Sequence, residues 1–140
     1  MALDPCGGSS LPPRPPKNAC AVARVRASLK TLLVANPTAG GGRAGRLASQ
    51  VAERLAADGI EVARHPTRSL EDARLAACEA AGEVDAVVAM GGDGTVGACA
   101  AGLADFGRGA RAALAVIPAG GGNDTARSLG LPAGDPLAAA

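Results

Sequence analysis

Apolar residues along this chain follow two rhythms that take turns. Short apolar runs at Thr31 to Ala35, Ile60 to His65, Val84 to Met90 and Ala113 to Ile117 have the length of buried strands. Between them the spacing changes to a helical one. Leu47, Val51 and Leu55 fall at i, i+4 and i+8 on one helical face, and Asp58-Gly59 supplies the C-terminal cap. Ser69-Leu-Glu-Asp72 has the capping pattern of a helix running to about Ala81. A third helix is predicted over Thr95 to Ala104 and a short one around Thr125 to Leu129. Strands that alternate with helices predict an α/β domain, a parallel-sheet, Rossmann-like three-layer fold with crossover helices.

Composition sharpens that expectation. Hydrophobic residues make up 48% of the 140 positions, yet there is one Phe and no Trp or Tyr, so the core has to be built from Ala, Val, Leu and Ile. Such residues suit parallel strands covered by helices. The missing aromatics also leave no platform for stacking bases, which argues against a single-strand nucleic-acid binder. A formal charge of +1, from 14 basic and 13 acidic residues mixed along the chain, gives no electrostatic footprint of a nucleic-acid partner. No apolar run approaches the roughly 20 residues of a membrane helix, and Met1 to Ser10 lacks the pattern of a secretory signal, so a cytoplasmic location is expected.

Cys6, Cys20, Cys78 and Cys99 show no C-x-x-C spacing, and the single histidine, His65, has no partner nearby in the sequence. Metal-site and disulfide readings therefore fail on spacing. Cys78 and Cys99 fall on predicted helices and read as small buried apolar residues. Residues 1–28 contain Leu11-Pro-Pro-Arg-Pro-Pro16 and a Gly-Gly-Ser-Ser run, which reads as a disordered leader. Residues 29–140 are expected to form the folded domain.

Candidate chemistry lies where strands end. Met90-Gly91-Gly92-Asp93-Gly94-Thr95 joins strand three to a helix, and such a turn leaves backbone N–H groups aimed outward, where they can hold phosphate oxygens. Asn36-Pro37-Thr38-Ala39-Gly40 follows strand one, and Ala119-Gly120-Gly121-Gly122-Asn123-Asp124 follows strand four. Right-handed β-α-β winding puts all parallel strand ends on one edge, so the three loops can converge on one crevice. Asp93 suits Mg²⁺ binding or loop orientation better than direct phosphate contact, since two anions repel. Thr67 and Thr95 can donate hydroxyl hydrogen bonds to phosphate or ribose. Asn36 and Asn123 can equally close turns through their own side chains. Asp124 can serve the site or the N-terminal charge of a helix. Arg43 and Arg46 stand near the first turn, where they read as solvated surface or as phosphate partners.

Taken in order, these pieces resemble the diacylglycerol-kinase catalytic family, which includes bacterial lipid kinases and sphingosine kinases and is related to NAD kinases. The resemblance covers Leu32 to Pro132 and rests on Asn36-Pro-x-x-Gly40, on Thr67 ahead of Asp72-Ala73, on Gly91 to Thr95, and on Ile117-Pro118 leading to Gly120-x-x-Asn123-Asp124. The tail Ala126-Arg-Ser-Leu-Gly-Leu-Pro132 also fits. The resemblance implies binding of ATP and Mg²⁺, with Asn36 to Gly40, Thr67, Gly91 to Gly97 (Val96 included), Gly120, Gly121, Asn123 and Asp124 lining the nucleotide. It implies transfer of the γ-phosphoryl group to a lipid hydroxyl, with Asp93 positioning metal or phosphate. It also implies peripheral membrane contact through a second domain and allows a homodimer.

Departures narrow that expectation. The family pattern G-G-D-G-T-x-N-E becomes Gly91 to Ala98 with Gly97 and Ala98 in place of Asn and Glu. Gly121 stands where the family mostly has a hydroxyl residue, and Ala39 where it often has Ser. Each lost hydrogen bond to a charged phosphate costs roughly 1.5–3 kcal/mol. The family's β-rich second domain, with the lipid pocket and the general base, is not encoded in these residues. The expectation is a truncated nucleotide-binding domain, inactive alone; an NAD kinase type and a non-catalytic nucleotide-binding fragment are the alternatives.

Overall fold

The computed structural model describes residues 28–140, so the expected leader lies, but for its last residue, outside the described residues. The elements are β1 (Lys30–Ala35), α1 (Ala39–Ala57), β2 (Glu61–Pro66), α2 (Leu70–Ala80), β3 (Ala86–Gly91), α3 (Asp93–Phe106), a 3₁₀ turn (Gly107–Gly109), β4 (Ala113–Pro118), α4 (Asp124–Ser128) and α5 (Pro136–Ala139). All three strand pairings are parallel and the sheet order is β2-β1-β3-β4. The parallel α/β architecture expected from the alternating pattern is the one observed.

Side-chain alternation along each strand sorts the core into two faces. Leu33, Ala35, Val88, Met90 and Ile117 pack with Ala44, Val51 and Leu55 of α1 on one face. Val34, Val87, Ala89 and Val116 pack with Ala73 and Ala77 of α2, and with Val96 and Cys99 of α3, on the other. Leu33, Val34, Val51, Val87 and Met90 are completely buried. Each such side chain stabilises the fold by about 1.5–3 kcal/mol relative to exposure. Small residues dominate where α2 meets α3: the bare α-carbon of Gly102 packs against the carbonyl of Arg74.

Strand order places the functional edge. The chain leaves β1 toward β2 on one side, then crosses back to β3 on the other, so the loops after β1 and β3 diverge and leave a crevice at the carboxyl ends. Two local features are tighter than the sequence suggested. β3 runs to Gly91 and α3 starts at Asp93, so Gly92 alone makes the turn. α1 starts at Ala39, but Gly40, Gly41 and Gly42 interrupt it with φ of +59°, +65° and +85°. The predicted caps hold: Ser69 accepts a bond from the Asp72 N–H, and Gly59, at φ +84°, ends α1 by donating to the Ala56 carbonyl. α5 was not expected, because four residues carry no readable period; its start is fixed by Asp135, whose carboxylate accepts from the N–H groups of Leu137 and Ala138.

Candidate functional site

The loops after β1, β3 and β4 meet at the carboxyl edge and interlock through their backbones. Gly91 is the anchor: its carbonyl accepts the N–H groups of Ala119, at 2.8 Å, and Gly120, at 3.1 Å. The α-carbon of Gly120 lies so close to Gly92 that a Cβ would collide with it, and a Cβ on Gly40 would strike the Ala119 carbonyl oxygen. Glycine is required at both positions by close approach of backbones. The first loop is tied to β3 by the Asn36 N–H donating to the Met90 carbonyl at 3.0 Å.

Asp93 binds across the crevice rather than toward solvent. Its Oδ1 accepts the Thr125 N–H at 2.8 Å and its Oδ2 accepts the Asp124 N–H at 3.0 Å. The first residue of α3 thereby caps the start of α4 and fixes the third loop. The Thr125 N–H is the main reason that the Asp93 carboxyl is held below the usual carboxylate range; the Thr125 hydroxyl and the Asp124 N–H reinforce it. Among the described residues the N–H groups of Gly92, Gly94, Gly121 and Gly122 donate to no other residue. The unpartnered donors of Gly92 and Gly94, at the start of a fourteen-residue helix, present positive potential to an anion, with those of Gly121 and Gly122 on the neighbouring loop.

Both asparagines close turns. Asn36 Oδ1 accepts from the Thr38 N–H at 3.1 Å and its hydroxyl at 2.9 Å. Asn123, buried and left-handed at φ +57°, accepts the Gly120 N–H and donates to the carbonyls of Gly120 and Ala133. Asp124, the first residue of α4, is exposed and pairs with Arg127 at 3.1 Å. Thr95 is 2% exposed and packs beneath Gly91, and Thr67, 8% exposed, donates its N–H to the Ala35 carbonyl. Pro37 packs against Gly45, Ala39 is half-buried, Val96 points into the core so that only its backbone faces the loops, and Gly97 is exposed with open space around it. Arg43 and Arg46 donate to the carbonyls of Gly134 and Gly41.

Two sequence expectations need correction. Cys78 is half-buried rather than buried. His65 does have a partner: its Nε2 lies 3.2 Å from Asp72 Oδ1, because β2 and α2 fold back on each other around the turn at Thr67. Asp72 also accepts the Arg68 N–H at 2.8 Å, the main cause of its depressed pKa. Thr125 was missed altogether, since its role depends on a residue 32 positions earlier. Cys99 is buried, which pushes its thiol up to about 11 and removes it as a nucleophile. A hollow of about 320 Å³ opens beside the crevice, between β2 and α1, lined by Leu33, Ala48, Ser49 and Arg64 among others. Its polar residues, Arg64, which donates to Ser49 Oγ at 2.8 Å, and His65, stand on β2 and α1 rather than on the glycine loops.

Comparison with known proteins agrees with this geometry. Residues 30–140 match the Diacylglycerol kinase catalytic domain family. The chain is 41% identical over 109 residues to a diacylglycerol kinase of Bacillus subtilis (strain 168), covering 77% of this chain and 35% of that one. It is 42% identical over 113 residues to a diacylglycerol kinase of Mycobacterium tuberculosis (strain CDC 1551 / Oshkosh), covering 79% and 35%. The crystal structure of a diacylglycerol kinase from Bacillus anthracis str. Sterne superposes with a TM-score of 0.69 at 38% identity, over 79% of this chain and 40% of that one. The chain thus spans about a third of the length of the sequence relatives it matches. Glycine loops interlocked on one sheet edge, and a sequence match that includes all of them, make this chain a member of the diacylglycerol kinase catalytic domain family.

Proposed function

We propose that residues 29–140 are the nucleotide-binding part of an ATP-dependent lipid kinase, which in its full length moves the γ-phosphoryl group of ATP to a lipid hydroxyl. The observation that carries this reading is the interlock of Gly91, Gly92, Gly120 and Asp93, which holds unpartnered N–H groups at the start of α3. Phosphoryl transfer asks little covalent chemistry of a protein and much positioning, which pre-formed backbone donors supply. Asp93 keeps the third loop in place so that its glycines face the same phosphates as Gly92 and Gly94.

Magnesium would be held by Asp93 and Asp124. Their Oδ2 atoms lie 3.4 and 3.9 Å from where a Cβ on Gly122 would be, and one or two carboxylates beside substrate phosphates suit that ion. When bound, the ion neutralises charge on the phosphates. Weak ATP binding is expected of this chain, because Gly97 and Ala98 stand where the family pattern has Asn and Glu.

Titration calorimetry with ATP and Mg²⁺ tests this. Binding is expected for the wild-type chain and lost in Asp93→Ala, with circular dichroism showing that the variant keeps its fold. No heat with folded wild-type protein, or unchanged binding in the variant, defeats the reading.

A further inference from the structure

The side of α1 turned toward β2 is built of small residues. Gly45, Ala48, Ser49 and Ala52 fall at i, i+3, i+4 and i+7, on one helical face, and none carries more than a hydroxymethyl group. Helix and strand therefore leave space between them. The hollow of about 320 Å³ that results has Leu33 and Ala35 of β1 as its floor and Pro37, Ala48 and Pro66 around it. That volume falls at the lower end of small-ligand sites.

A cation stands in its wall. Arg64 is the register partner of Leu33 and so shares the α1 face of the sheet, and its Nη1 donates to Ser49 Oγ at 2.8 Å. Among the described residues no carboxylate lies within ion-pairing distance of this guanidinium. Glu53 lines the smaller space on the far side of Arg64 and Ser49 instead. Ser49 occupies one of the five guanidinium N–H groups, and its own hydroxyl proton is still free to be donated. An inward charge on an edge strand also deters pairing between molecules. That role needs a charge alone; it accounts for neither the apolar hollow nor the bond to Ser49.

We propose that this hollow is a second ligand site, for a small organic acid that sets its carboxylate on Arg64 and Ser49 and its apolar body against Pro37, Ala48 and Pro66. One guanidinium matches the single charge of a carboxylate. The site is separate from the unpartnered glycine donors, since it lies on the α1 face and α3 packs on the opposite one. Amide chemical-shift titration of the wild-type chain, Arg64→Gln and Ser49→Leu with hexanoate, hexanol and acetate tests it. Hexanoate should give saturable shifts at residues 45–49 and 64–65 of the wild type. Acetate lacks the apolar body and hexanol the charge, so each should bind at least about tenfold more weakly. Arg64→Gln should weaken hexanoate by roughly tenfold or more and leave hexanol unchanged, and Ser49→Leu, which fills the mouth, should abolish saturation by both. Both positions are exposed, so each variant should keep the amide dispersion of the folded chain. Absence of saturable hexanoate shifts, equal affinity for hexanoate and acetate or for hexanoate and hexanol, or unchanged hexanoate affinity in Arg64→Gln overturns the site.

Discussion

The two glycine-rich turns that flank the crevice are built on opposite plans. The loop after β4 is fastened at both ends: Ala119 and Gly120 donate to Gly91, Asn123 bonds back to Gly120 and reaches Ala133, and Asp124 and Thr125 donate to Asp93. The loop after β1 is fastened at its base by Asn36, and then passes through three left-handed glycines, of which Gly41 has nothing within 4 Å of its missing Cβ. The third loop is held chiefly by bonds to other elements, the first chiefly by bonds within itself and by the close approach of Gly40 to Ala119, with open space only around Gly41. Donors held in place in this way cost no reorganisation when an anion arrives.

Substitutions can break that contrast. The largest effect is expected at Gly120→Ala, where the new methyl group meets the backbone of Gly92 and no flexible side chain can yield. We expect a loss of roughly 1–3 kcal/mol of stability in urea unfolding. A wild-type midpoint in that variant would mean that the loop after β4 is not fastened as described. Asp93→Asn should come next, with a pH signature. Because the folded pKa of Asp93 is depressed, its contribution is present above the unfolded value of 3.8 and disappears as pH falls through the lower folded value. The gap in unfolding midpoint between wild type and Asp93→Asn should therefore be open at pH 7 and narrow below about pH 4. A gap that is constant with pH would remove the charged carboxylate from the interlock. Gly41→Ala should cost least, roughly 1 kcal/mol from the left-handed backbone alone, since no neighbour obstructs the methyl group. A cost as large as that of Gly120→Ala would show the first loop to be as rigid as the third.

Much of this was readable from the chain and the remainder shows why reading stops where it does. Strands and helices emerged from local periodicity, and the three loops from glycine content at strand ends, because both are properties of neighbouring residues. Topology followed from the handedness of crossovers, which placed the loops on one edge. Partners far apart in sequence were invisible. Asp93 could be given a choice between metal and loop orientation, but only packing brings it to Asp124 and Thr125. Asn36 and Asn123 carried two readings each, and the turn-closing one is realised. Thr67 and Thr95 were legible as hydroxyls at strand ends, but not as residues almost wholly covered by the loops above them.

The strand order has a kinetic corollary. The backbone N–H of Lys30 at the start of β1 donates to the Asp85 carboxylate 55 residues later, and β1 pairs with both β2 and β3. No strand pair in this sheet joins sequence neighbours by a tight hairpin, so every pairing waits for a long segment of chain to be in place. The bonds from Ala119 and Gly120 to Gly91 join the ends of β4 and β3, so the crevice is expected to be among the last parts to assemble. Loss of contacts there is expected to speed unfolding more than it slows folding.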